Sequence, residues 1–172
     1  MKPITLAILA TLAATGPTAA AETAAPYRGL VVAISDGDTL TVLDDGKQQH
    51  RVRLHGIDAP ERGQPFGTRA RQQLAALASQ RTVAVVPIGP PDRYGRTVAR
   101  VTVDDRDIGT QLLDSGLAWH WTQYDRSAAY AQAQRNAQAV HRGLWSDPHP
   151  IPPWQWRKMP KSERPAATAA DR

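Results

Sequence analysis

Three short strand-forming segments, each ended by a tight turn, follow one another early in the chain. The first two, at residues 30–34 and 39–43, are separated by the Asp-Gly-Asp sequence at 36–38. An Asp-Asp-Gly sequence at 44–46 then predicts a hairpin, because Asp and Gly tolerate the positive φ that such turns require. The third segment, 50–55, alternates apolar with polar side chains, as a strand with one buried face does. This spacing predicts three successive β-strands.

Two more strands and three helices are predicted in the rest of the domain. Residues 82–88 and 96–103 show the two-residue alternation of strands. Apolar residues at helical spacing predict a helix over 66–79, and two further helices are predicted at 108–115 and 127–141. Five short strands interleaved with helices in one small domain favour an α+β fold, mainly β, built as a small barrel.

The composition indicates one folded domain with a polyanionic partner. The chain has 172 residues, of which 41% are hydrophobic and 22% are charged, and this balance is typical of a globular core rather than of disorder. It contains no cysteine, which excludes a disulfide scaffold, a thiolate zinc site and a cysteine nucleophile. A formal net charge of +5 favours a partner such as nucleic acid or an anionic membrane.

The two ends of the chain differ from the domain between them. Residues 1–21 combine a positive start, a short apolar stretch and an Ala-x-Ala cleavage pattern, which predicts a signal peptide, with an Ala-rich helix or tail as the alternative. Residues 22–26 are predicted to be a linker, and 27–148 the folded domain. Residues 149–172 form a Pro/Trp-rich extension, and the part from Lys158 is expected to be disordered. We therefore expect a secreted or periplasmic protein without stable membrane association after signal removal.

Four acidic residues near two strand ends are candidate metal ligands. Asp36 and Asp38 lie two apart, so in an extended segment their side chains face the same way. Asp58 and Glu61 lie in the loop after the third strand. Four carboxylates gathered together would repel one another unless a cation lay among them. Ligands that are all oxygen atoms suit calcium or magnesium rather than zinc. Taken alone, each pattern is also ordinary turn chemistry.

Two arginines are candidate phosphate ligands. Arg53 projects from the polar face of the third strand, and Arg96 stands at the entrance to the fifth. A guanidinium group can bind two phosphate oxygens at once, and two such groups facing a metal would neutralise the charge of a pentacoordinate phosphate. The alternative is that both are solvated surface charges.

Aromatic residues make up only 6% of the chain, but several are clustered. Tyr94 and Tyr124 are candidates for base stacking, because each lies in a loop beside Arg or Asp. Four tryptophans are predicted to pack against the barrel, with base stacking as the alternative: Trp119, Trp121, Trp154 and Trp156. The chain has no G-x-S-x-G, P-loop or G-x-G-x-x-G motif, which argues against acyl transfer, nucleoside triphosphate hydrolysis and dinucleotide binding.

Three motifs in a fixed order resemble the staphylococcal nuclease (thermonuclease) family. They are Ser-Asp-Gly-Asp-Thr at 35–39, Arg-Leu-His-Gly-Ile-Asp-Ala-Pro-Glu at 53–61 and Asp-Arg-Tyr-Gly-Arg at 92–96. The segments at 112–119 and 142–145 also resemble that family's closing helices. The resemblance covers nearly all of the predicted domain. It implies an OB-fold barrel of five strands with three helices.

The resemblance implies a calcium site and a catalytic base. Asp38 and Asp58 match the family's calcium-binding carboxylates, and the backbone carbonyl of Ala59 would be a third ligand. Asp36 matches a carboxylate that is linked to the metal through water. Glu61 matches the residue usually cast as the general base for the attacking water. The implied cofactor is Ca²⁺.

The resemblance also implies how the substrate is held. Arg53 and Arg96 match the two arginines that bind the scissile phosphate. Arg93 and Tyr94 match residues that touch the neighbouring phosphate.

The implied activity is hydrolysis of DNA and RNA phosphodiester bonds by an endonuclease with low sequence specificity. We separately expect the protein to be a monomer. Family members leave 3′-phosphates, and binding mainly through the phosphate backbone would make the reaction sensitive to salt. Tyr124 matches a nucleotide-stacking tyrosine, whereas Thr122 stands where the family has a second one. That departure concerns base contacts rather than the predicted catalytic groups.

Two other functions are compatible with such a barrel. A non-catalytic OB-fold module could bind nucleic acid, as related domains in tudor-containing scaffold proteins do after losing catalytic side chains. An OB-fold binder of peptide or oligosaccharide is the third hypothesis, but it would leave the acidic and arginine residues without a role. Retention of the full set favours the enzyme, and that set is Asp38, Arg53, Asp58, Glu61 and Arg96.

Overall fold

The computed structural model describes residues 24–165. The predicted signal peptide and the first two residues of the predicted linker lie outside the described residues. Within that range the strands are β1 (Tyr27–Ile34), β2 (Thr39–Asp44), β3 (Gln49–Leu54), β4 (Ile57–Asp58), β5 (Thr82–Pro87), β6 (Thr97–Val103), β7 (Arg106–Asp107) and β8 (Trp119–His120). The α-helices are α1 (Gly67–Ala78), α2 (Ile108–Asp114), α3 (Ala128–Ala139) and α4 (Pro153–Trp156), and short 3₁₀ helices occupy Gly143–Ser146 and Lys161–Glu163.

Five of these strands form a closed barrel. Their order is β3-β2-β1-β5-β6 with antiparallel neighbours, and a parallel pairing of β3 with β6 closes the ring. Strand β7 pairs with β6, and β4 and β8 form a separate antiparallel pair. The predicted α+β fold, a five-stranded OB-fold barrel with helices, is confirmed.

The barrel interior is filled by the alternating apolar residues that the sequence pattern singles out. Val52 and Leu54 of β3 and Val83 and Val85 of β5 are almost inaccessible to solvent. Because side chains alternate across a strand, the same pattern that buries Val52 and Leu54 directs Arg53 away from the core. The strand thereby directs an arginine, whose side chain is only 13% exposed, toward the place where the loops meet.

Three longer helices cover the barrel. Helix α1 runs one residue inside the predicted segment at each end and buries Ala70 and Leu74. The Ser127 side chain caps α3 by accepting a hydrogen bond from the Tyr130 N–H at 3.3 Å. Asp107 caps α2 in the same way. Between residues 24 and 165, no helix is both long enough and apolar enough to cross a bilayer.

The C-terminal extension packs against the domain. Pro153 and Trp156 of α4 are buried. The guanidinium of Arg164 lies 5.3 Å from the centre of the Trp156 ring, and its Nε donates to the carbonyl of Met159. Where a disordered tail is predicted, residues 158–165 contain the 3₁₀ helix Lys161–Glu163 and fold back on the buried Trp156 through Arg164. The remainder of that predicted tail lies outside the described residues.

Candidate active site

A cavity of about 250 Å³ forms where several loops meet around β3. The turn after β1, the loop after β4, the loop between β5 and β6 and the C-terminal extension all contribute to its wall. We call it the polar cavity, and it is lined by Asp36, Asp38, Arg53, Ala59, Pro60, Glu61, Arg93, Tyr94, Arg96, Trp121 and Arg157. All of the predicted site residues except Asp58 and Tyr124 therefore line one cavity.

Two aspartates at the polar cavity are almost completely buried. Asp38 is 4% exposed and Asp58 only 1%. Asp38 Oδ2 accepts a hydrogen bond from the Ala59 N–H at 2.7 Å, and Asp36 Oδ1 accepts one from the Asp38 N–H at 3.1 Å. A Cβ atom at Gly37 would lie 2.7 Å from the Cβ of Ala59. Glycine at this position thus allows the turn after β1 to approach the loop after β4.

The guanidinium of Arg53 lies between these two carboxylates. Its Nη1 contacts Asp38 Oδ1, and its Nη2 donates to Asp58 Oδ1 at 2.7 Å and to the Ile57 carbonyl at 3.3 Å. Burial lowers the pKa of Arg53, and the adjacent Asp58 carboxylate opposes that shift. Since an arginine side chain stays protonated in proteins, the two buried negative charges face a permanent positive charge.

Backbone contacts fix the Glu61 loop while its carboxylate stays accessible. The Glu61 side chain is 38% exposed, but its N–H donates to Gln64 Oε1 at 3.0 Å. Gln64 is buried, and its Nε2 donates to the Ile151 carbonyl at 2.7 Å. A Cβ atom at Gly67 would lie 2.1 Å from the Glu61 carbonyl oxygen, so the loop packs directly on the start of α1. The loop that carries the predicted base is therefore held by both α1 and the C-terminal extension.

Arg157, which the sequence interpretation does not identify, enters the site from the C-terminal extension. Its Nη1 donates to Glu61 Oε1 at 2.6 Å, and its Nη2 donates to Asp58 Oδ2 at 2.8 Å. Burial acts to lower the pKa of Arg157, but the hydrogen bonds with Asp58 and Glu61 outweigh burial and raise it. The guanidinium also lies 5.6 Å from the centre of the Trp121 ring. The sequence signal for this residue is the segment Pro-Pro-Trp-Gln-Trp-Arg at 152–157. Its prolines favour the start of a helix, and its tryptophans favour packing of that helix on the domain.

Asp92 sets the position of the second predicted phosphate ligand. Its Oδ1 accepts hydrogen bonds from the N–H groups of Tyr94 and Arg96, and its Oδ2 accepts one from Arg96 Nε at 2.8 Å. Burial acts to raise the pKa of Asp92, but these hydrogen bonds outweigh it and lower the pKa. The Tyr94 ring is 63% exposed, with the Arg93 guanidinium 4.8 Å from its centre. Asp92 thus holds the turn that carries Arg93, Tyr94 and Arg96.

Tyr124 lies in a neighbouring cleft of about 430 Å³, which shares Arg53, Arg93, Tyr94, Arg96 and Trp121 with the polar cavity. Its ring is 58% exposed and meets the Trp121 ring edge-on, with centroids 4.6 Å apart. An exposed aromatic ring in a cleft that three arginines also line is suited to stack on a nucleobase while the arginines contact phosphate.

The donor atoms of the site fit a hard divalent cation in kind. Asp38, Asp58 and Glu61 offer only carboxylate oxygens, which calcium prefers. In this structure those oxygens instead gather around the guanidinium groups of Arg53 and Arg157, each of which contacts two of the carboxylates. In the part of the chain that the structure describes, no group of three or more His, Asp or Glu side chains is arranged as a metal site. The carboxylates favour a cation beside them, and in this structure the cations are the guanidinium groups of Arg53 and Arg157.

Comparisons with known proteins agree with this geometry. A family model described as "Staphylococcal nuclease homologue" matches residues 51–147. A Haemophilus influenzae protein named "Uncharacterized endonuclease" is 46% identical over 131 residues, which cover 76% of this chain and 73% of that protein. "Protein ParB" of Escherichia coli is 42% identical over 151 residues, covering 81% of this chain and 84% of ParB. "Micrococcal nuclease" of Shigella flexneri is 41% identical over 149 residues, covering 80% and 84%.

The closed OB-fold barrel and its cavity of carboxylates and guanidinium groups define the class of nuclease-type OB-fold domains. The chain belongs to the staphylococcal nuclease family, because the family model matches more than half of its residues and the relatives align over most of their length. The predicted family is thereby confirmed. The roles of the individual site residues stay predictions.

Proposed function

We propose that this nuclease-family hydrolase is a secreted, calcium-dependent endonuclease that cleaves DNA and RNA with low sequence specificity. The observation that supports the proposal most is the meeting of the predicted carboxylates and arginines at one cavity, from segments far apart in the chain. Each element of phosphodiester hydrolysis has a candidate group there: a base for water, cations for the phosphate, and an acidic set for a divalent ion.

Glu61 is the proposed general base. Its carboxylate is 38% exposed, so a water molecule can reach it, whereas Asp38 and Asp58 are buried. It would take a proton from the water as the water oxygen attacks phosphorus. The backbone contacts of Glu61 with Gln64 keep the base in position during the reaction.

Arg53 and Arg96 are the proposed ligands of the scissile phosphate. Both line the polar cavity, and each is oriented by carboxylates behind it: Arg53 by Asp38 and Asp58, Arg96 by Asp92. This support fixes the guanidinium groups before substrate binds, so little reorganisation is needed as charge builds on the phosphate. The bond between phosphorus and the 5′ oxygen then breaks, the 5′ oxygen takes up a proton from water to become a hydroxyl group, and the other product ends in a 3′-phosphate.

The proposed calcium site uses the Asp38 and Asp58 carboxylates, the Ala59 carbonyl and, through water, Asp36. A bound calcium ion would polarise a phosphate oxygen and neutralise charge beside the two arginines. A calcium ion bound by Asp58 would take the place of the guanidinium group of Arg157. The Arg157 side chain, which also contacts Glu61, would therefore have to shift. Calcium binding and the position of Arg157 are therefore expected to be coupled.

The substrate is proposed to be held mainly by its backbone. Arg93 and Tyr94 flank the polar cavity and would contact the neighbouring phosphate, while Tyr124 would stack on a base in the adjoining cleft. Contacts of this kind carry little sequence information. We further propose a monomeric protein, exported through residues 1–21 and free of stable membrane association. The absence of cysteine means that core packing alone would hold the exported domain.

The test is digestion of a defined oligonucleotide with calcium, with a chelator, and with calcium restored. Glu61→Gln should keep substrate binding but lose most turnover. Glu163→Gln is the matched control, because Glu163 is an exposed residue of the last 3₁₀ helix, away from the polar cavity. Parental turnover in Glu61→Gln would exclude Glu61 as the base. Binding without cleavage under all three conditions would favour a non-catalytic nucleic-acid-binding module.

A further inference from the structure

A second cleft, of about 550 Å³, adjoins the polar cavity on the side of the C-terminal extension. The two share Arg93, Trp121 and Arg157 as lining residues. We call it the aromatic cleft, and its other lining residues are Thr122, Gln123, Trp154 and Lys158. A polymer held in the polar cavity could continue into the aromatic cleft without crossing the barrel.

The aromatic side chains of this cleft form a fixed row. The Trp121 and Trp154 rings are stacked, with centroids 5.9 Å apart and planes inclined by 16°. Trp154 also meets Trp119 edge-on at 5.7 Å, and Trp119 in turn packs on the buried Trp145 at 4.4 Å. Tyr124 meets the Trp121 ring edge-on, with centroids 4.6 Å apart. Because this row is anchored in the core, its partly exposed rings lose little entropy when a flat ligand stacks on them.

The charges of the aromatic cleft are of one sign. Arg93, Arg157 and Lys158 are the charged residues that line it, and no carboxylate does. The polar cavity, by contrast, carries three acidic residues in its wall. Rings for stacking beside cations for phosphate are the two features by which proteins bind single-stranded nucleic acid.

We propose that the C-terminal extension builds a subsite for an unpaired nucleotide next to the scissile phosphate, with the Trp154 ring, backed by Trp121, stacking on the base and Lys158 binding its phosphate. This inference rests on the proposed function, since it places the subsite beside the cleavage centre. It also gives a physical role to the departure at Thr122, because the indole rings supply the aromatic surface that a second tyrosine would provide elsewhere. The subsite selects single-stranded over base-paired substrate.

Binding is measured on the full mature chain carrying Glu61→Gln, with fluorescent oligothymidylates of increasing length and with a matched duplex. Trp154→Leu should weaken single-strand binding about 5- to 150-fold, the range expected for loss of one base–aromatic stack. Trp154→Phe, which keeps a ring, should restore most of the affinity. The duplex should be affected much less by either change.

The salt dependence of binding tests the phosphate contact separately. Lys158→Ala should lower the slope of log affinity against log salt by about 1. Lys161→Ala is the matched control, since Lys161 lies on the same extension but outside the aromatic cleft, and it should leave the slope unchanged. Both lysines are exposed, so neither substitution threatens the fold.

Unchanged single-strand affinity in Trp154→Leu together with an unchanged slope in Lys158→Ala would overturn the subsite. Equal losses for single strand and duplex in Trp154→Leu, without rescue by Trp154→Phe, would do the same, because they indicate a packing role alone. These outcomes leave the nuclease proposal standing if the unmodified protein still cleaves DNA. Conversely, a parent that binds through Trp154 but never cleaves would refute the nuclease proposal and keep the subsite.

Discussion

Replacing Arg157 with Gln removes a cation from two carboxylates with unequal environments. Asp58 is 1% exposed, but it keeps its 2.7 Å contact with Arg53, so it does not become an unpaired buried charge. Glu61 is 38% exposed, and the loss of its contact with Arg157 therefore costs little. Hydrogen bonds to charged groups stabilise by about 1.5–3 kcal/mol each, and the 40% exposure of the Arg157 side chain reduces that value. We expect Arg157→Gln to lower the free energy of unfolding by about 1–2 kcal/mol without calcium.

The same substitution should strengthen calcium binding, because it removes a positive charge from the proposed ligands. Thermal unfolding of the parent and Arg157→Gln, each in chelator and in calcium, measures both effects, and about 1 kcal/mol corresponds to about 2–4 °C in a domain of this size. Calcium should raise the unfolding temperature of the variant more than that of the parent. Arg126→Gln, at an exposed position outside the polar cavity, is the control. A variant with parental stability in chelator and weaker calcium binding would refute the reasoning.

Two further substitutions test the arginine ligand and the acid sensitivity of the fold. Arg96→Lys keeps a positive charge but loses the paired contact with phosphate and the hydrogen bond from Nε to Asp92. Turnover should therefore fall about a hundredfold or more. Near-parental turnover would contradict bidentate binding of the phosphate. Asp125→Asn tests a buried carboxyl group. Burial acts to raise the pKa of Asp125, but the hydrogen bonds from Ser127 and the charge of Arg100 outweigh burial and lower that pKa. Because the folded pKa lies below the unfolded value of about 3.9, the contribution of Asp125 is present above that pH and is lost as the pH falls through the folded pKa. Urea unfolding between neutral and acid pH should therefore show a flatter acid limb in Asp125→Asn; an acid limb as steep as the parent's would show that other groups control it. The groups that face Asp125 and must be kept intact in this comparison are His55, Arg100 and His120.

The barrel strands could be predicted because their signal is local. The alternation at Val52 and Leu54, and again at Val83 and Val85, appears directly in the sequence and buries those residues in the structure. Strands β4, β7 and β8 are two residues long and therefore show no alternation that a pattern could detect. The parallel pairing of β3 with β6, which closes the barrel, joins segments that no turn signal connects.

The site shows the same division between local and distant information. Asp38, Arg53 and Glu61 stand in short motifs, and their assembly at one cavity follows from neighbouring strands and turns. Arg157 reaches Glu61 across 96 positions of the chain, and it is brought there by the packing of the C-terminal extension, in which Trp156 is buried and the Ile151 carbonyl accepts a hydrogen bond from Gln64. The polar, Ala-rich composition of the tail from Lys158 likewise predicts disorder, because contacts with distant residues are not visible in composition.

The measurement that addresses the central proposal most directly is the metal dependence and end chemistry of cleavage on a single-stranded oligonucleotide of known sequence. We expect cleavage with calcium, none with chelator, full recovery when calcium is restored, and products that end in 3′-phosphate. Cleavage that persists in chelator, or products with 3′-hydroxyl ends, would contradict the roles proposed for Asp38, Asp58 and Glu61.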